Sequence, residues 1–196
     1  MTRRSVLAGV VFSVVALTGR PAGLLAAEGH DGERDTRTFT LDVAIDAHTL
    51  NLNNNDPADP GNPKRGSTFI VYGKIFPGGT IPSGVTPFDP NTAGSIGEWV
   101  CRGVFLADFA DIMSGKASVS FDTTQMFLLS TDANAIFTEG FEGNVGVTTH
   151  RTIVGGTGRY DGITGTVRQL TIGVNRNGAA DGLFDLRFTF RVKSGD

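Results

Sequence analysis

The chain has 196 residues with a formal net charge of −3, 39% hydrophobic and 9% aromatic side chains, 27 glycines, 14 phenylalanines and one cysteine. That length suits a single domain with a real core, and a lone cysteine excludes an internal disulfide framework and a thiolate metal cage. Many glycines beside many phenylalanines favour a β-rich globule with tight turns over a helical bundle.

Residues 1–27 are expected to be an export signal. Arg3 and Arg4 precede a moderately apolar run over residues 6–17, and Leu25, Ala26 and Ala27 offer a cleavage site. The paired arginines point to the twin-arginine type; an ordinary secretory signal is the alternative. The run is short of the ~20 residues that span a bilayer, which disfavours an uncleaved anchor. Either signal places the mature protein in the periplasm or outside the cell, with no membrane attachment after cleavage. This segment holds Arg3, Arg4 and Arg20 and no acid, so without it the formal balance falls from −3 to −6. An acidic domain without a basic run argues against nucleic acid as a partner. Residues 28–36 are polar and contain glycine, and read as a flexible leader to the domain at residues 37–196.

From residue 37 onward apolar residues recur with a period of two. Strands are expected over residues 38–45, 68–76, 98–108, 117–122, 126–130, 135–140, 151–154, 165–174 and 184–192. The last is the clearest, with Phe184, Leu186, Phe188, Phe190 and Val192 alternating with Asp185, Arg187, Thr189 and Arg191. Two proline- and asparagine-bearing stretches, residues 51–64 and 77–91, are expected as long loops able to cap a barrel mouth. Residues 108–116 have room for one helical turn. Asn177-Gly178 and Asp181-Gly182 mark a longer hairpin between the last two strands. Eight or nine strands in this arrangement fit an all-β, eight-stranded antiparallel up-and-down β-barrel of calycin-like type; a β-sandwich is the alternative.

Reactive groups are few. The histidines are His30, His48 and His150, none at a recognisable spacing from a nucleophile. Asp56 and Asp59 lack the spacing and terminal glutamate of a calcium loop. No metal and no cofactor is expected. On the strand from residue 98, Trp99, Cys101, Gly103 and Phe105 share one face, and Val100, Arg102, Val104 and Leu106 share the other; one of these faces looks inward. Tyr72 and Tyr160 could each set a hydroxyl at the end of an apolar pocket. Arg168 and Arg187 could pair with Asp185 or Glu139, or orient an acidic ligand.

Gly155-Gly156-Thr157-Gly158 lies between strand-like runs, followed by Arg159, Tyr160, Asp161 and Gly162. Neither the dinucleotide fingerprint nor the P-loop fits it, because β-type sequence follows where a helix should begin. These glycines read as β-architecture. The element resembles the signature of dirigent proteins and of the allene oxide cyclases, which share one small β-barrel. Residues 66–76 resemble that family's strand ending in a Lys-aliphatic-aromatic triplet, here Lys74, Ile75 and Phe76. Residues 96–101 resemble the following strand, which in the cyclases carries a cysteine. The resemblance spans residues 37 to 192 and implies a barrel that holds a small hydrophobic ligand and associates as a dimer or trimer. It places Asp42 near the cyclases' first-strand glutamate, with Ala44 where they have asparagine, and Cys101 on the cavity wall. Ile163, Thr164 and Gly165 replace the Ala-Arg-Gly-like triplet of dirigent proteins.

The expected ligand is phenolic or fatty-acid-derived, held by Phe69, Trp99, Phe105, Tyr160 and Arg168. Asp42, Tyr72 and Cys101 are the candidate catalytic residues. Three functions fit: a barrel that guides cyclisation or coupling of a bound molecule, an isomerase or cyclase with acid-base residues in its cavity, and an exported structural module with a filled core.

Overall fold

The computed structural model describes residues 36–86, 88–117, 119–129, 133–175 and 183–193. The expected export signal, most of the leader, and the Asn177-Gly178 and Asp181-Gly182 turn lie outside the described residues.

Eight antiparallel strands close on themselves: β1 (Thr36–Asn53), β2 (Thr68–Pro77), β4 (Gly97–Phe105), β5 (Val119–Leu129), β6 (Ala135–Gly143), β7 (Thr148–Thr157), β8 (Thr164–Asn175) and β9 (Leu183–Lys193). Each pairs with the next in this order, and β9 returns to pair with β1. The architecture is the expected up-and-down barrel, in which closure leaves no long strand edge unpaired. A short strand β3 (Gly84–Thr86) adds itself in parallel to the far end of β8. One helical turn, α1 (Phe109–Met113), follows β4, as the sequence suggests.

Period-two alternation sets the two faces. Leu41, Val43 and Ile45 of β1, Val71 and Ile75 of β2, Trp99 and Cys101 of β4, and Leu186, Phe188, Phe190 and Val192 of β9 all point inward and are buried. Trp99 therefore marks the inner face of its strand. At the end where β1 begins and β9 finishes, the interior is packed with rings. Phe39 stacks on Phe190 at 4.7 Å, and Phe127 meets Phe188 and Phe190 edge-on at 4.9 and 5.0 Å. Each such pair adds about 0.5–1.5 kcal/mol beyond area burial.

Several strands differ from the sequence expectation: β7 covers Thr148–Thr157 instead of 151–154, β6 runs on to Gly143, β4 stops at Phe105, and β3 falls within the expected loop at residues 77–91. β5 is one strand where two were expected, because its inward positions include Thr123 and Gln125, whose polarity hides the alternation. β1 continues past Ile45 to Asn53, with a register shift between Asp46 and Asn51 that bulges residues 47–50 out of the ladder. A second shift, between Thr171 and Gly173 of β8, sets Gly173 on the outer wall beside Ile172 and turns Val174 inward, opposite Phe184.

The Gly155-Gly156-Thr157-Gly158 element ends β7 and enters a 3-10 turn over Gly158–Tyr160. Gly158 has φ +62°, and a Cβ on Gly156 would lie 2.3 Å from the Tyr160 carbonyl oxygen. Both positions require glycine for backbone reasons, as β-architecture implies.

Candidate functional site

At the end opposite the packed rings the barrel is hollow. A cavity of about 610 Å³ is bounded by Ile45, Leu52, Val71, Trp99, Val174 and Phe184. Phe69, Phe105 and Phe121 form an aromatic wall, with edge-on ring pairs at 5.7, 5.2 and 4.9 Å. Pro60, Gly61 and Pro63 from the first long loop, with Phe109 and Met113 of α1, complete the mouth. The second long loop lies elsewhere: Ile81 packs with Ala44, Phe76 and Ile172 on the outer wall.

Besides the indole N–H of Trp99, which has no hydrogen-bond partner among the described residues, the polar or thiol side chains among these lining residues are Cys101 and Glu142. They stand at the edge of a polar layer that crosses the barrel between the cavity and the packed end. Glu142 Oε1 accepts hydrogen bonds from Gln125 Nε2 at 2.5 Å and Thr123 Oγ1 at 3.1 Å, and from the Cys101 thiol at 3.5 Å. Its Oε2 takes no hydrogen bond from the described residues. One oxygen is therefore fixed, and the other is left for whatever enters the cavity.

Arg151 supplies the balancing charge. Only 2% exposed, it donates from Nη1 to Thr123 Oγ1 at 2.8 Å and to Gln169 Oε1 at 3.3 Å, from Nη2 to the Thr123 carbonyl at 2.7 Å, and from Nε to Thr138 Oγ1 at 3.1 Å. Thr123 thus links the guanidinium to the carboxylate. Burial pulls the Arg151 pKa below its ordinary value, and Glu142 is the largest influence opposing that fall. A buried ion needs both a counter-charge and filled hydrogen-bonding positions, and this layer provides both.

Burial pushes the Cys101 thiol well above its ordinary range, and the Glu142 carboxylate pushes it further. Cys101 is thus a thiol that donates to Glu142, with no thiolate to act as nucleophile. In the native protein at pH 8 it should react with an aromatic disulfide reagent roughly 100-fold more slowly than after unfolding, since the thiolate is the reacting form. Equal rates would contradict this placement.

The other expected site residues divide between cavity and wall. Phe69, Trp99 and Phe105 join Cys101 at the cavity. Asp42 alternates with Leu41 and Val43 and faces outward; its carboxylate accepts from Arg187 Nε and Nη2 at 2.8 and 2.9 Å and from the backbone N–H groups of Gly79 and Ile81, each at 2.9 Å. Tyr72 also faces outward and is 44% exposed. Arg168 is exposed on the outside of β8. Tyr160 packs against the core at the closed end, with Arg159 over its ring at 4.9 Å. The geometry does not bring Asp42, Tyr72, Tyr160 or Arg168 to the cavity.

The barrel aligns with the pterocarpan synthase dirigent protein PsPTS1 at a TM-score of 0.55 and 10% identity, covering 83% of this chain and 97% of that one. The pterocarpan synthase dirigent protein GePTS1 gives 0.54 at 11% identity, covering 90% and 98%. This chain has the dirigent barrel fold. The Diels Alderase AbmU from Streptomyces koyangensis aligns over 83% of this chain and 70% of its own, at 17% identity and a TM-score of 0.46. No family model matches the chain, and no curated protein matches it in sequence.

In this dirigent-type barrel the residues that sequence reasoning missed are Glu142, Arg151, Gln125, Gln169 and Thr123. Their signal was phase. Glu142 is in step with Ile136 and Thr138, Arg151 with Ile153, Gln125 with Phe127, and Gln169 with Val167, so each falls where an apolar residue would ordinarily point inward.

Proposed function

We propose that this dirigent-type barrel takes a small hydrophobic molecule, phenolic or fatty-acid-derived, into its cavity and guides its cyclisation or coupling, with Glu142 as the group that orients it. The observation that carries this reading is a carboxylate with one oxygen held by three donors and the other without a hydrogen bond among the described residues, at the base of an apolar, ring-lined cavity of about 610 Å³. Small-molecule sites have this form, with apolar walls supplying affinity and a few polar groups fixing orientation.

A hydroxyl of the bound molecule would donate to Glu142 Oε2. In a dry site that bond raises electron density on the hydroxyl oxygen and fixes which face of the molecule is presented to its reacting partner atom. If the reaction moves a proton, Oε2 is the base that receives it. The cavity favours this reading over a structural module with a filled core. Export through a twin-arginine-type signal is part of the proposal, supported by Arg3, Arg4 and the apolar run after them. Association as a dimer or trimer is also part of it, and rests on the resemblance to the related barrels.

The test is native mass spectrometry of the mature protein from its own host, with organic extraction of any passenger. One apolar, hydroxyl-bearing molecule per chain is expected. Glu142→Gln, which keeps an acceptor for Cys101, Thr123 and Gln125, should weaken its binding roughly tenfold, the worth of one charge-assisted hydrogen bond. An empty chain, together with unchanged affinity of the variant for hydroxylated aromatic probes, would overturn the proposal.

A further inference from the structure

Asp185 is fully buried on the outer wall, and neither of its carboxylate oxygens has a hydrogen-bond partner among the described residues. Its cross-strand neighbours are Ala44 of β1 and Gly173 of β8. Ala44 belongs to an apolar layer with Phe76, Ile81 and Ile172, with Phe88 packed against it. Water is kept from this layer by residues 77–86, which run along the wall as a strap. The strap leaves β2 with the Gly78 N–H donating to the Thr40 carbonyl at 3.1 Å, and two fastenings hold it beyond that point. The N–H groups of Gly79 and Ile81 donate to Asp42 Oδ2, and Arg187 Nη2 donates to the Ile81 carbonyl at 2.9 Å. Further along, β3 lies so close to β8 that a Cβ on Gly173 would sit 1.8 Å from the Gly84 oxygen.

A buried carboxylate without donors is tolerable while it is neutral and costly once it ionises. The charged groups on this face around Asp185 are Asp42 of β1, Arg187 two residues along β9, and Lys74 of β2 across Ala44, which is ion-paired with Glu98. Asp46, the next outward position on β1, accepts the His48 N–H, and residues 77–86 contain no ionisable side chain. Arg187 is already committed, forked on Asp42 and bonded to Ile81.

We propose that Asp185 is a proton-controlled latch for the strap: while neutral it lets residues 77–86 lie against the barrel wall, and when ionised it lifts them. An ionised Asp185 repels Asp42 and competes for Arg187, so either the guanidinium leaves the Ile81 carbonyl or water enters beneath the strap. Both routes undo the first fastening. Burial, and then the charge of Asp42, raise the Asp185 pKa from 3.8 to about 7, which puts the transition near neutral pH. The strap continues into β3, whose partner segment on β8 carries Val174 of the cavity wall, so the latch also bears on the cavity rim.

Hydrogen exchange of the full chain at pH 5.5 and pH 8.5, with rates corrected for intrinsic pH dependence, tests this without any ligand. The amides of Gly79 and Ile81 should lose at least tenfold in protection at the higher pH in the wild type and keep it in Asp185→Asn. Unchanged wild-type protection, or an equal loss in the variant, would overturn the latch. Carboxyl NMR on the wild type removes dependence on the variant's folding. A midpoint near 7 for Asp185 is expected, and an ordinary carboxylate midpoint would overturn the proposal.

Discussion

Replacing Arg151 with methionine should destabilise the barrel by about 3–5 kcal/mol, the usual cost of leaving a buried charge without its counter-charge, here one that reaches Glu142 through Thr123. Methionine fills much of the volume, so the loss is electrostatic more than steric. The Glu142 carboxylate would have no compensating cation beside it among the described residues, and Thr123, Thr138 and Gln169 would lose the donor they face. Adding Glu142→Leu to the variant should recover part of that stability, because a buried pair replaced by apolar residues is often near neutral. Urea melts of the two single variants and the double measure both effects. A loss below about 1 kcal/mol for Arg151→Met alone would mean that the guanidinium is not the counter-charge described, since surface pairs cost that little.

Asp185→Asn should change how stability depends on pH. The folded pKa of Asp185 is about 7 against an ordinary 3.8. Between these values the folded state holds a proton that the unfolded chain has released, so wild-type stability falls as pH rises from 3.8 to about 7 and is flat above that. Asparagine cannot ionise and lacks this slope. Between pH 4 and pH 8 the stability difference between the two proteins should therefore move in favour of the variant by about 2–4 kcal/mol, the lower figure applying if release of the strap relieves part of the penalty. Parallel stability curves for the two proteins would contradict the placement of Asp185.

Much of the architecture was legible because a half-buried strand must alternate. Phe184 to Val192 show this on β9, and the glycines at 155–158 carried the turn that ends β7. The candidate site was less legible for a specific reason. The apolar phase of β1, Leu41-Val43-Ile45, already marks Asp42 as outward, yet the family resemblance drew attention to its chemistry rather than its phase. The same rule applied to β6 and β7 marks Glu142 and Arg151 as inward. What sequence alone does not carry is register. Arg187 and Asp42 lie 145 residues apart and meet only because β9 closes onto β1 at that offset. The hollow end is likewise a product of the bulge after Asp46, the loop at residues 54–64 and the shift at Ile172, which no local pattern announces.

Titration with a neutral, apolar fluorophore such as phenylnaphthylamine tests most directly whether the barrel is a ligand holder. Leu52, partly buried at the cavity mouth, provides the control: Leu52→Trp places a large ring across the opening without disturbing the packed end. Saturable binding of one probe per chain, abolished or weakened at least tenfold in Leu52→Trp, is the expected result. Absence of saturable binding, or binding indifferent to that substitution, would contradict the account.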